Sequence, residues 1–241
     1  MQDKYVGDIG DYFKYALLRR LMKGKRLGVF WYLFPDEDNT DGGLVDYLDH
    51  PEKWRSLDPE LFDTLDNLVK TLHRNVASLA QSGLFGDALF ACERLIPPKI
   101  TSGQPKIENS DWRSGWFDSA SNYLKKCDLV FADPDNGLCE DDKYEYGQKA
   151  FWKRIPLREV HAISEGRTAI IYHHNTRKKG GHEKEIRDWC RTLGKGTIAL
   201  RWRAQGSRTF FIINPEKDTI SKAKKFCEDW GDHADFYASK Y

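Results

Sequence analysis

Two carboxylates and an amide fall within five residues at Asp133-Pro134-Asp135-Asn136-Gly137, directly after the apolar run Leu129-Val130-Phe131-Ala132. In open α/β sheets ligands bind beyond the carboxyl ends of the strands. An apolar strand that delivers acids into a tight turn is therefore where acceptor or acid–base chemistry is expected. The same residue types also build ordinary turns, but two acids this close to an apolar interior must find partners for their charge. Asp133, Pro134, Asp135 and Asn136 are accordingly the candidate catalytic residues.

A second group, Tyr172-His173-His174-Asn175, follows another β-rich run. Neighbours on a strand point to opposite faces, so one of the two histidines reaches a site shared with Asp133 while the chain stays extended. Asp133, Asp135, His173 and His174, with the acidic cluster Asp36, Glu37 and Asp38, supply oxygen and imidazole ligands of the kind that hold Mg or Mn. Such a metal would activate water for phosphodiester hydrolysis, which makes a metal-dependent nuclease or phosphoesterase one reading. Basic residues gather at Arg177, Lys178 and Lys179 and at Arg201, Arg203 and Arg208. They suit phosphate contacts to RNA or DNA, and equally a solvated turn and the outward side of a hairpin. A third reading is a non-catalytic module that binds nucleic acid or protein through these residues.

The elements that must position these groups follow from periodicity. Phe13, Leu17, Leu18 and Leu21 recur at helical spacing within residues 10–23, leaving Lys14, Arg19 and Arg20 to other faces. Residues 27–34 form a continuous apolar run closed by Pro35, the pattern of a strand buried on both faces, and an acidic loop follows to Gly43. Residues 44–86 read as a helical insertion. A strand is expected at 88–92, a loop through Pro97, Pro98, Gly103 and Pro105, a helix at 114–126, a strand at 128–132, and a helix at about 145–164 interrupted at Gly147 and Pro156. Beyond these come a strand at 168–172, a helix at 182–193, strands at 197–202 and 208–213 around Gln205-Gly206-Ser207, and a final helix at 216–230.

Alternating strands and helices predict one α/β domain over residues 1–241: a Rossmann-like, mostly parallel sheet with a C-terminal antiparallel hairpin at or near one edge. A chain of 241 residues with 40% hydrophobic and 31% charged residues is globular in composition, and no apolar run approaches a membrane span. The opening residues lack the pattern of a secretory signal, and five widely spaced cysteines form no C-x-x-C pair; both fit a reducing, cytoplasmic setting. At a net charge of +1, any nucleic-acid partner must be held by local clusters.

Several segments, in order along the chain, resemble the bacterial large-subunit ribosomal RNA adenine methyltransferases of the RlmJ type. Val6-Gly7-Asp8-Ile9-Gly10-Asp11-Tyr12-Phe13-Lys14-Tyr15 is similar to that family's opening segment, through Gly7, Asp11 and Lys14. Asp133-Pro134 resembles the start of its Asp-Pro-Pro-Tyr motif. The resemblance implies a class I methyltransferase sheet, S-adenosylmethionine as cofactor, and transfer of a methyl group to the exocyclic amine of adenine. It further implies that Lys14 meets the cofactor's carboxylate, Glu93 its ribose and Asp111 its adenine amine, while Asp133 and the adjoining backbone carbonyl accept hydrogen bonds from the target amine. The sequence departs from the family at two places. Its glycine-rich loop is here Phe34-Pro35-Asp36-Glu37-Asp38-Asn39, and the motif's closing Pro-Tyr is Asp135-Asn136. The base-stacking ring would then come from Trp31, Tyr32, Tyr144 or Tyr146.

Overall fold

The computed structural model describes residues 1–96, 106–144, 149–204 and 206–238. The expected loop at Pro97, Pro98, Gly103 and Pro105, together with Tyr146 and Gln205, lies outside the described residues. Helix α1 (Ile9–Leu21) leads into strand β1 (Leu27–Trp31), and α2 (Pro51–Trp54), α3 (Pro59–Lys70) and α4 (Val76–Gln81) occupy the span read as a helical insertion. Then come β2 (Leu89–Ala91), α5 (Lys106–Tyr123), β3 (Leu129–Asp133), β4 (Gly137–Cys139), α6 (Lys149–Trp152), β5 (Arg154–Pro156) and α7 (Leu157–Ser164). The chain continues through β6 (Thr168–His174), α8 (Gly181–Thr192), β7 (Ile198–Trp202), β8 (Arg208–Ile213), α9 (Lys217–Trp230) and β9 (Ala234–Ala238).

All five residues of β1 and all five of β3 are buried, as continuous apolar runs require when helices cover both faces of a sheet. Leu27, Val29 and Trp31 enter the core beneath α1, α3 and α9, whereas Phe30 joins Trp116, Phe117, Val160 and Ile186 on the opposite face. The strand order is β2-β1-β3-β6-β8-β7-β9. Its first four members run parallel; β8 is antiparallel to both β6 and β7, and β9 is antiparallel to β7. The architecture is therefore α/β with a mixed, Rossmann-like sheet. The expected hairpin forms, but β8 inserts between β6 and β7, and the edge belongs to β9, which the sequence pattern did not reveal.

Helix α1 starts where Asp8 caps it, accepting the Gly10 amide hydrogen at 2.8 Å, after Gly7 supplies a positive φ of 92°. Its sequence pattern assigned Lys14 to a polar face, yet Lys14 is only 3% exposed. The helix packs against α3 and α9 as well as the sheet, and Lys14 points to the rim of that sheet, where Asp133, Met1, Trp31 and Tyr172 enclose it. Asp58 caps α3 in the same manner, with Pro59 opening the helix and Leu61, Leu65 and Leu68 forming the buried stripe.

The long helix read over residues 145–164 is divided among α6, β5 and α7. Parallel pairing of Gly137–Cys139 with Arg154–Pro156 competes successfully with helix there, because Pro156 cannot donate within a helix and serves instead as the cap of α7. Helix α5 also begins earlier than expected, which places Asp111 on a helix. All five cysteines are free thiols, and no helix among the described residues is long and apolar enough to cross a membrane.

Candidate active-site crevice

Asp133 closes β3, between Trp31 at the end of β1 and the end of β6, so its carboxylate emerges at the carboxyl rim of the parallel strands. It is 2% exposed, and its Oδ2 accepts a hydrogen bond from Lys14 Nζ at 2.7 Å. The same ammonium lies 2.6 Å from Asp11 Oδ1, and the Tyr15 hydroxyl donates to Asp11 Oδ2 at 2.6 Å. Burial raises the Asp133 pKa above the usual carboxylate range, opposed by the positive charges of Lys14 and the Met1 ammonium. Burial works against the Lys14 ammonium too, but Asp11 and Asp133 override it and raise the Lys14 pKa.

Asp135 is held by a second lysine bridge. Lys153 Nζ sits 3.0 Å from Asp135 Oδ2 and also pairs with Glu37, while Gln2 Nε2 donates to Asp135 at 2.9 Å and to Glu37 at 3.3 Å. Despite burial, the Met1 ammonium and Lys153 lower the Asp135 pKa to about 2. Backbone pairing fixes the turn: the Asn136 amide donates to the Lys153 carbonyl at 2.8 Å, joining the turn to the β4–β5 pair. The Met1 α-ammonium donates to the carbonyls of Tyr32 at 3.1 Å and Asp133 at 3.2 Å and stands 3.9 Å from Asp135 Oδ1.

These groups line a crevice of about 620 Å³. Its acids are Asp8, Asp11, Glu37, Asp41, Asp133 and Asp135, its side-chain cations Lys14, Lys153 and Arg208, and its rings Tyr5, Tyr172 and His174. Arg208 presents two nitrogens to Asp8 Oδ1, each at 3.2 Å, and a side chain on Gly10 would collide with its guanidinium. A larger groove of about 720 Å³, near Lys23, Gly24 and Arg26, opens at the amino ends of the strands, away from the acids of the turn. The rim crevice, at the carboxyl ends of the parallel strands, is the better candidate.

Lys14, Asp133, Asp135 and Asn136 thus share one crevice, with Pro134 buried in the turn. Glu93, two residues past β2, and Asp111, on α5, are exposed and do not line it. Nor do Trp31, Tyr32 and Tyr144, the described rings expected to stack a base: Trp31 and Tyr32 are fully buried, Tyr144 is 7% exposed, and the Tyr32 hydroxyl donates to Glu159 at 2.9 Å. Tyr5 and Tyr172 line the crevice instead.

His173 and His174 part company as adjacent strand residues must. His174 faces the crevice, whereas His173 accepts the Leu138 amide hydrogen at Nδ1 (3.0 Å) and turns Nε2 toward Glu185, 3.2 Å away. The metal set Asp133, Asp135, His173 and His174 is therefore not assembled. Among the described residues no three acids, histidines or cysteines are arranged to hold a metal ion. Asp8, Asp11, Glu37, Asp133 and Asp135 are matched with lysines and an arginine of the chain itself, an arrangement that suits Mg or Mn poorly.

Arg177, Lys178 and Lys179 are exposed in the turn beyond β6. Lys178 pairs with Asp188 at 2.9 Å. Arg201 bonds the Ser207 hydroxyl at 3.3 Å, and Arg203 faces Asp235 at 3.5 Å. Sequence reasoning gave no site role to Asp8, Asp11, Lys153, Gln2 or Tyr5. The i, i+3 spacing of Asp11 and Lys14 was the available signal for the first bridge; nothing local announces Lys153, which reaches the site only through β5. Comparison with protein-family models and with curated proteins finds no match to this sequence.

Proposed function

We propose that this chain is a methyltransferase-like enzyme that uses S-adenosylmethionine and acts on an exocyclic adenine amine in nucleic acid. The observation that carries the reading is the placement of Asp133: a buried, oriented carboxylate at the end of a central parallel strand, on the rim of a Rossmann-like sheet, facing a crevice of about 620 Å³. A mixed, Rossmann-like sheet with helices on both faces is compatible with the methyltransferase fold that the sequence resemblance implies.

The acceptors that a cofactor's α-ammonium would use, the Tyr32 and Asp133 carbonyls and the Asp135 carboxylate, hold the Met1 α-ammonium, so the cofactor's charged end must displace Met1 to reach them. When bound, the cofactor supplies an electrophilic methyl group. Asp133 acts as a fixed acceptor for a hydrogen of the target amine, leaving the nitrogen lone pair free for attack. Tyr5 and Tyr172, which line the crevice, are the candidate rings to contact the base. Acids outnumber side-chain cations six to three in the lining, so phosphates stay outside the crevice, and Arg177, Lys178 and Lys179 are their expected contacts.

Calorimetric titration with S-adenosylhomocysteine tests the cofactor half of the reading, and its absence of heat at roughly millimolar ligand overturns it. Methyl transfer to adenine-containing RNA and DNA oligonucleotides tests the rest. Asp133→Ala is expected to lower the rate by about 100-fold or more; turnover at the wild-type rate removes Asp133 from the chemistry.

A further inference from the structure

We propose that Lys14 is a positioning residue, whose ammonium fixes the Asp133 carboxylate and does not receive the carboxylate of a ligand. The sequence resemblance implies the opposite role, so the geometry around the nitrogen decides between them. An ammonium carries three donor hydrogens. Three acceptors of the chain stand around Nζ: Asp11 Oδ1 at 2.6 Å, Asp133 Oδ2 at 2.7 Å and Met1 Sδ at 3.7 Å. The rings of Tyr15, Trp31 and Tyr172 lie 5.4, 5.8 and 5.7 Å away, closing other approaches. A ligand carboxylate reaching this nitrogen must displace a buried carboxylate, which then loses its partner, or the thioether.

One face of α1 supplies the whole arrangement. Asp11, Lys14 and Tyr15 stand at i, i+3 and i+4, so a hydroxyl, a carboxylate and an ammonium are stacked toward the end of β3. Tyr15 holds Asp11, Asp11 shares Lys14, and Lys14 fixes one oxygen of Asp133. The plane of the Asp133 carboxyl is set before any substrate arrives, as an acceptor for a target amine requires. Burial alone pushes Asp133 toward its neutral form, and Lys14 is the largest opposing influence. The proposal rests on the reading of Asp133 as an acceptor, but its test does not depend on that reading.

The Asp133 carboxyl is titrated by ¹³C NMR in the wild type, Lys14→Met, Lys14→Arg and Asp11→Asn. Loss of the cation in Lys14→Met is expected to raise the Asp133 pKa by about one unit or more, and Lys14→Arg to restore most of the difference. Asp11→Asn removes a repelling charge and a competitor for Lys14 without leaving an unpaired buried ion, so it is expected to lower the Asp133 pKa. This variant decides the matter where Lys14→Met does not fold; an unmoved or raised value in Asp11→Asn overturns the proposal. In parallel, calorimetry compares S-adenosylhomocysteine with 5′-methylthioadenosine, which lacks the amino-acid carboxylate. Positioning predicts that Lys14→Met changes both affinities by the same factor, within roughly threefold. A loss of about tenfold or more for S-adenosylhomocysteine alone assigns Lys14 to the ligand and overturns the proposal. Should the wild type bind neither compound, the proposed cofactor fails while the NMR titration still decides what Lys14 does.

Discussion

A methyl group placed on Gly137 would stand 2.4 Å from Nδ1 of His173 and 2.9 Å from the backbone nitrogen of His174. Gly137 also adopts a φ of 80°, so the turn that presents Asp133 and Asp135 leaves the rim in a conformation suited to glycine, pressed against β6. Backbone neighbours cannot swing aside as the end of a long side chain can. Gly137→Ala is therefore expected to cost about 2–4 kcal/mol of stability, combining left-handed strain with the collision. Urea unfolding checks this: a midpoint equal to that of the wild type shows that the turn tolerates a side chain.

Accepting the Leu138 amide hydrogen requires an unprotonated Nδ1 on His173, which leaves Nε2–H to face Glu185. Burial lowers the His173 pKa below its usual value of 6.5, with Glu185 opposing. The unfolded chain thus takes up the proton first. Stability from this group is fully present above about pH 6.5 and declines as pH falls below it. His174 and His233, also lowered, add to the same window. His173→Leu is expected to reduce the slope of Tm against pH below 6.5, and to lower Tm throughout because the Leu138 amide loses its acceptor, at about 1–3 kcal/mol. An unchanged slope removes His173 from the titration.

Asp135 titrates in a separate, more acidic window. Its folded pKa of about 2 lies under the ordinary 3.8, so its contribution is present above about pH 4 and is lost as pH falls through 2. The difference corresponds to about 2 kcal/mol. Asp135→Asn is expected to flatten the acid limb of the stability curve there. Acid unfolding that coincides with the wild type in this range contradicts the Lys153 and Met1 pairing.

The sheet was legible because its central strands carry unbroken apolar runs, and the turn after Ala132 because acids follow such a run directly. Lys14 was found through the resemblance but read onto a polar face, since helical periodicity cannot reveal that Asp133, Met1, Trp31 and Tyr172 enclose it at the rim of the sheet. The short strands β4 and β5 escaped notice because three residues carry no period, and β9 because its alternating burial is weak. Lys153 was invisible for a related reason. Its place beside Asp135 depends on pairing between segments 17 residues apart, Gly137 with Arg154, for which no local pattern exists. The histidine pair shows the converse: strand alternation alone foretold that only one would face the crevice.

The turn after His174 separates the contributions of neighbouring cations. Lys178 is engaged by Asp188 at 2.9 Å, whereas no ion pair holds Arg177 or Lys179 among the described residues. An exposed pair of this kind contributes little to stability, but it partly neutralises Lys178 toward a phosphate. Removing one lysine–phosphate interaction reduces the slope of log K against log salt by about 0.7–0.9. Lys179→Ala is thus expected to weaken RNA or DNA binding and flatten its salt dependence more than Lys178→Ala, with the double variant weaker than either. Fluorescence anisotropy at several salt concentrations reads both quantities. Equal affinity and slope in the double variant and the wild type would place the nucleic-acid interface elsewhere, leaving these lysines as a solvated turn that caps the approach to α8.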